Sequence, residues 1–172
     1  LGRAVPVLHT DEGLRAVGWI EGRNVSFDYR ISVDMERIRV YAAEIVELAP
    51  DVIVVHSNVF MAALQQINRT IPTVFAQVAD PVGSGFVESL ARPGANVTGF
   101  TNFESEIGGK WLEILKEVAP HVSRTLFIHH PQTAANIAFL RAAEAAAPAL
   151  RMTVIAAGVH NAAEIERAIT SF

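Results

Sequence analysis

The chain has 172 residues, with 14 basic against 18 acidic side chains, a formal charge of -4, a 51% apolar composition and no cysteine. That length allows one core of normal size, or one full lobe and part of a second. The missing cysteine excludes a disulfide scaffold, thiolate-held zinc or iron–sulfur sites and a thiol nucleophile. Mild acidity without a basic run argues against nucleic acid as the main partner.

The predicted elements alternate strand and helix. Val5 to His9 reads as a strand, with little chain left for a crossover helix before Gly18. Asn24 to Ser32 alternates Val25, Phe27, Tyr29 and Ile31, the pattern of a half-buried strand. Met35 to Leu48 carries Ile38, Tyr41, Ala42, Ile45, Val46 and Leu48 at helical spacing. Pro50-Asp51 ends that helix, and Val52 to His56 reads as a strand buried on both faces. Asn58 to Asn68 predicts a short helix with Met61, Leu64 and Ile67 on one side, followed by a strand over Thr73 to Val78. A short helix is expected over Pro81 to Ala91, closed by Arg92-Pro93-Gly94, then a strand over Val97 to Phe100.

Thr101-Asn102-Phe103-Glu104 fits a capping box for the next helix, whose stripe is Ile107, Trp111, Ile114, Leu115 and Val118, with Glu106 and Lys110 as an i,i+4 pair. Pro120 stops it. A strand over Thr125 to His129, a helix over Ala134 to Ala147 and a strand over Met152 to Ala157 follow. Asn161-Ala162-Ala163-Glu164 opens the last helix with a second capping box. Strands joined by crossover helices give an α/β doubly wound parallel sheet. The seam between two halves falls near Phe103. No apolar run nears the ~18 residues of a membrane span. The start has no initiator Met or secretory signal, and Phe172 falls inside a helical pattern, so a fragment is expected.

In open α/β sheets ligands sit beyond the C-terminal strand ends, where helix N-termini point. Three loops qualify: His56-Ser57-Asn58, Gln77-Val78-Ala79-Asp80 and Phe100-Thr101-Asn102. Free backbone amides there favour an anion such as a carboxylate, and Asp80 suits an ammonium group, so together they describe an amino-acid-like zwitterion site. Ser57, Asn58, Asp80 and Thr101 are also good helix N-caps, and Pro81 suits a first helical position. A side chain used as a cap is partly withdrawn from a ligand.

Other motifs are incomplete. Gly83-Ser84-Gly85 lacks the third glycine of a dinucleotide loop, because Glu88 stands there. Ser84 lacks the frame of a nucleophile elbow, and Gly108-Gly109-Lys110 lacks P-loop spacing. None of the six histidines forms a metal pair at helical or alternate-strand spacing. The sequons at Asn24, Asn68 and Asn96 read as chance, and Trp19 and Trp111 as core residues. No catalytic residue, metal or cofactor is expected.

Gly18-Trp19-Ile20-Glu21-Gly22-Arg23-Asn24-Val25, Leu48-Ala49-Pro50-Asp51-Val52-Ile53-Val54, Ile71-Pro72-Thr73-Val74-Phe75, Asp80-Pro81-Val82-Gly83-Ser84-Gly85, Leu90 to Phe100 and Gly109 to Glu117 stand in an order that resembles the tryptophan/tyrosine-type ABC transporter substrate-binding proteins. The resemblance covers roughly residues 12–172. It implies a periplasmic-binding-protein type I fold, with residues 1–103 as a first lobe of atypical N-terminus and 104–172 as the start of an incomplete second lobe. It also implies an exported, extracytoplasmic protein, a membrane permease partner, and reversible capture of a small molecule, with an aromatic amino acid favoured. By motif position, the cleft-facing residues carried over are Ser57, Asn58, Asp80, Thr101 and Asn102. The chain departs from the family pattern at His56-Ser57-Asn58-Val59, and the first strand and its helix look degraded or absent. A truncated lobe leaves sheet edges open, which allows pairing between copies. The rival readings are a cofactor-dependent enzyme on a Rossmann-like sheet and a ligand-sensing domain of a regulator.

Overall fold

The computed structural model describes residues 10–172. The chain divides into two compact units, Leu1–Ile31 and Ser32–Phe172. The strand expected over Val5 to His9 lies outside the described residues.

In the first unit, a helix was not expected before Gly18, yet α1 spans Thr10–Ala16. The loop after it is tied by Asn24, whose Oδ1 accepts the Ile20 amide at 2.7 Å and whose Nδ2 donates to the Gly18 carbonyl at 2.9 Å. The strand expected over Asn24 to Ser32 does not form. Only an isolated bridge joins Glu21 and Val25, and Tyr29 and Ile31 are exposed. Alternating hydrophobicity reports two faces of an extended segment, whereas a strand also needs a neighbour for its amides.

The second unit runs α2 (Met35–Glu47), β1 (Ile53–His56), α3 (Asn58–Ile67), β2 (Thr73–Val78), β3 (Val97–Thr101), α4 (Ile107–Val118), β4 (Arg124–His129), α5 (Ala134–Ala146), β5 (Thr153–Gly158) and α6 (Ala162–Ser171). All pairings are parallel, in two sheets: β1-β2-β3 and β4-β5. The parallel α/β architecture is the one the alternating pattern predicts. Asp34 caps α2 by accepting the Arg37 amide at 2.8 Å. Asn161 and Glu164 form the expected box at α6: Asn161 Oδ1 accepts the Glu164 amide at 3.0 Å, and Glu164 accepts the His160 amide at 2.7 Å.

Two apolar cores result. Ala42 of α2, Met61 and Leu64 of α3, and Ile53, Val55, Phe75 and Val78 of the first sheet bury one another, with Phe86 and Val87. Leu112, Ala143, Ala147 and Met152 form the second. β1 is buried on one face only, because α2 and α3 both cover the same side. Val54, pointing away from it, is 61% exposed. Leu48 and Ile67, expected inside, are also exposed where their helices end.

The α4 stripe is displaced from the predicted one. The buried face is Gly108, Gly109 and Leu112, while Trp111, Ile114 and Val118 are exposed. A Cβ on Gly108 would lie 2.1 Å from the Phe139 carbonyl oxygen, so α5 approaches the bare backbone of α4. Glycine carries no hydropathy signal, and the periodicity therefore marked the neighbouring face. Neither tryptophan is a core residue. Trp19 is half exposed, and Trp111 rests its ring on Phe139 at 5.3 Å while staying 39% exposed.

The Thr101–Glu104 capping box is absent: the Thr101 hydroxyl donates to the Phe103 carbonyl instead, and α4 begins only at Ile107. Lys110 pairs with Glu113 at 2.6 Å rather than with Glu106. No helix among the described residues is long and apolar enough to cross a membrane.

Candidate functional site

The register pairs His56 with Ala76 and Val78 with Thr101, so the C-terminal ends of β1, β2 and β3 share one edge. Hydrogen bonds join the loops that leave this edge. Asn58 Nδ2 donates to the Ala79 carbonyl at 2.6 Å, and the Ala79 amide donates to Asn58 Oδ1 at 2.9 Å. The Asp80 amide donates to the Phe103 carbonyl at 2.8 Å, which also accepts the Thr101 hydroxyl at 3.2 Å. Ser57, Asn58, Asp80, Thr101 and Asn102 therefore stand on one rim.

The backbone is strained along that rim. Six non-glycine residues have positive φ among the described ones, and Ser57 (φ 87), Gln77 (φ 53) and Asp80 (φ 44) are the three on this edge. Ser57, with ψ 149, occupies a region that is almost exclusively glycine's. Gln77 sits in a bulge that shifts the β2–β3 register between Ala76 and Val78. Each such conformation costs about 1–3 kcal/mol and persists only where surrounding contacts impose it, which is why it clusters at functional sites.

Asp80 is the most enclosed charge here, at 6% exposure. Its Oδ1 accepts the Gly83 amide at 3.1 Å, and a Cβ on Gly83 would lie 2.2 Å from Oδ2. Gly83 is thus small because the carboxylate lies against it. The helix expected over Pro81 to Ala91 is a series of turns. Ser84 donates to the Asp80 carbonyl at 2.8 Å, but Gly85 at φ 73 ends the coil after one turn.

An open cavity of about 750 Å³ adjoins the rim. It is lined by Asp80 and Gly83, by Ser105 and Glu106 ahead of α4, and by Ala134, Ile137, Ala138, Arg141 and Ala142 of α5. Its size lies within the range usual for small-molecule sites. Ser57, Asn58, Thr101 and Asn102 are not among its lining residues. Ser57 accepts the Phe60 amide at 3.5 Å as the cap of α3, and Asn58 uses its amide on Ala79. Of the cavity-lining residues, Ser105 and Arg141 were not singled out in the sequence, and Glu106 was read only as a partner for Lys110. Arg141 stands two turns into a helix, where a charge normally signals only solvent, and no strand-end rule points to it.

At the matching edge of the second sheet, the His130 and His160 rings meet edge-on at 5.3 Å, beside His129 at the end of β4. No group of three or more His, Asp or Glu side chains among the described residues is arranged to hold a metal ion.

Parallel sheets with crossover helices, and a rim of strained loops beside a largely apolar cavity that carries a few charged groups, define an α/β fold with a candidate binding site. A sequence model of the ABC transporter substrate binding protein family matches residues 8–172, and the chain belongs to that family. It is 26% identical over 161 residues to a tyrosine-binding protein of Clostridioides difficile, covering 93% of this chain and 46% of that one. A conserved domain protein from Vibrio cholerae superposes with a TM-score of 0.86 at 29% identity, over 94% of this chain and 54% of that one. An ABC domain from Streptococcus pneumonia, solved in complex with L-Trp, shares the fold with a TM-score of 0.85 at 22% identity, over 93% and 54% of the two chains. The chain thus spans about half the length of these relatives.

Proposed function

We propose that this protein is a solute-binding component of an ABC importer, working outside the cytoplasm and delivering an amino acid to a membrane permease. Residues 1–103 and 104–172 are read as parts of two lobes. The observation that carries this reading is the cavity beside the rim, where the enclosed Asp80 carboxylate stands with an apolar α5 wall of Ala134, Ile137 and Ala138. Family membership and the tyrosine-binding relative support the amino-acid class. Of the rim residues, Asp80 is assigned to the ligand's ammonium group. Ser57, Asn58, Thr101 and Asn102 hold or border the loops that present it.

The reading is one of reversible binding. Among the described residues, the hydrogen-bond donor to the Asp80 carboxylate is the Gly83 amide. Affinity comes from desolvating the side chain against α5 and pairing the charged ends, and closure of the two lobes signals occupancy. The dinucleotide-enzyme reading is not favoured, since Gly83 is filled by Asp80 and leaves no phosphate cradle.

The test is isothermal calorimetry of the purified protein against the common amino acids, L-tyrosine and L-tryptophan first. Saturable one-site binding that Asp80→Asn weakens at least about tenfold supports the assignment. Absence of heat with every zwitterion overturns it.

A further inference from the structure

Resting on the amino-acid reading of this cavity, we infer that Arg141 is a specificity-determining residue that recognises the ligand's carboxylate, making the preferred ligand a free zwitterion rather than an amine or a peptide-linked residue. Arg141 projects from α5 into the lining of the same cavity that holds Asp80 and Glu106. Among the described residues its exposed side chain makes no hydrogen bond or ion pair, whereas Arg39, Lys110 and Arg167 each lie beside a carboxylate one turn away.

Its surroundings leave that charge open. On the α5 wall the neighbours are alanines and Ile137, which offer no acceptor from their side chains. Gly83, Ser105 and the two acids form the rest of the lining. Asp80 is held by the Gly83 amide, and Glu106 lies near the Ser105 hydroxyl at 3.4 Å. One cationic group and two anionic ones, set on different elements around an apolar floor, match the two ends of an amino acid. The guanidinium presents paired donors that fit a carboxylate in two parallel hydrogen bonds, and a ligand lacking that group leaves them unmatched. The backbone amides at the strand ends, the first candidates for the carboxylate, are partly engaged: Gly83 on Asp80, and Phe60 on Ser57.

The experiment compares L-tyrosine with L-tyrosinamide, which keeps the ammonium and ring but has no carboxylate, in wild type, Arg141→Gln and Arg141→Lys. Wild type is expected to prefer tyrosine by roughly 10- to 100-fold, the size of a lost charge-assisted pair. Arg141→Gln should weaken tyrosine by a similar factor and leave tyrosinamide unchanged, with Arg141→Lys between. Equal tyrosine affinity in wild type and Arg141→Gln overturns the inference, as does an equal loss for both ligands. Wild type that binds no amino acid overturns the amino-acid reading itself, and the inference falls with it.

Discussion

Asn58 and Ala79 exchange two hydrogen bonds, amide to backbone and backbone to amide, at 2.6 and 2.9 Å across 21 positions of sequence. This pair fastens the start of α3 to the end of β2 and holds Asp80 beside its cavity. Asn58→Ala leaves both the Ala79 amide and carbonyl without partners in a part-buried loop. The expected cost is about 1–3 kcal/mol, read as a lower urea midpoint with an unchanged slope. An unchanged midpoint would mean that water replaces the side chain freely.

Gly108 and Gly109 make a matched contrast. A Cβ at Gly108 meets the Phe139 carbonyl at 2.1 Å, a backbone obstacle, while at Gly109 the nearest atom is the Ala146 methyl at 3.2 Å. Gly108→Ala should force α4 off α5 and destabilise by about 1–3 kcal/mol or more. Gly109→Ala should be far milder, since the helix propensity of alanine, worth up to ~1 kcal/mol, offsets the tighter contact. In a Trp19→Phe background, Trp111 fluorescence should shift to the red for Gly108→Ala alone, as its ring leaves Phe139. Equal effects of the two substitutions would refute the close approach.

The Glu164 carboxyl is held below its ordinary range, first by the His160 backbone amide, then by the Asn161 side chain and the His160 and Arg167 charges. A carboxylate lowered in the folded state contributes stability above its unfolded value of about 4.3 and loses it as pH falls through the folded value. Amide exchange in the first turn of α6 should therefore quicken below about pH 4 in wild type. In Glu164→Ala it should already be fast at neutral pH and change little across that window. Identical pH profiles in the two proteins would show that the box does not hold the helix.

The strands of the two sheets and most helices were legible because burial imposes the period directly. Met61 and Leu64 mark α3, and Ile53 and Val55 mark β1. Two of the misses share a cause, a residue that contributes backbone geometry and no hydropathy, whereas the segment over residues 24–32 has the alternation of a strand but no neighbour to pair with. Gly108 moved the buried stripe of α4, and Gly85, at positive φ, turned an expected helix into turns. Of the candidate site, the rim could be read from strand ends, and Asp80 from its place after β2. Arg141 could not, because its role depends on which flank of α5 meets the 80–83 loop, a tertiary fact with no local pattern.

The central claim, that a small zwitterion enters the cavity between the 80–83 loop and α5, is tested most directly by hydrogen–deuterium exchange with and without saturating L-tyrosine. The account predicts slowed exchange over residues 79–86 and 134–142 together, with α2 unchanged. Protection confined to other elements, or none at a concentration where calorimetry shows binding, would contradict it.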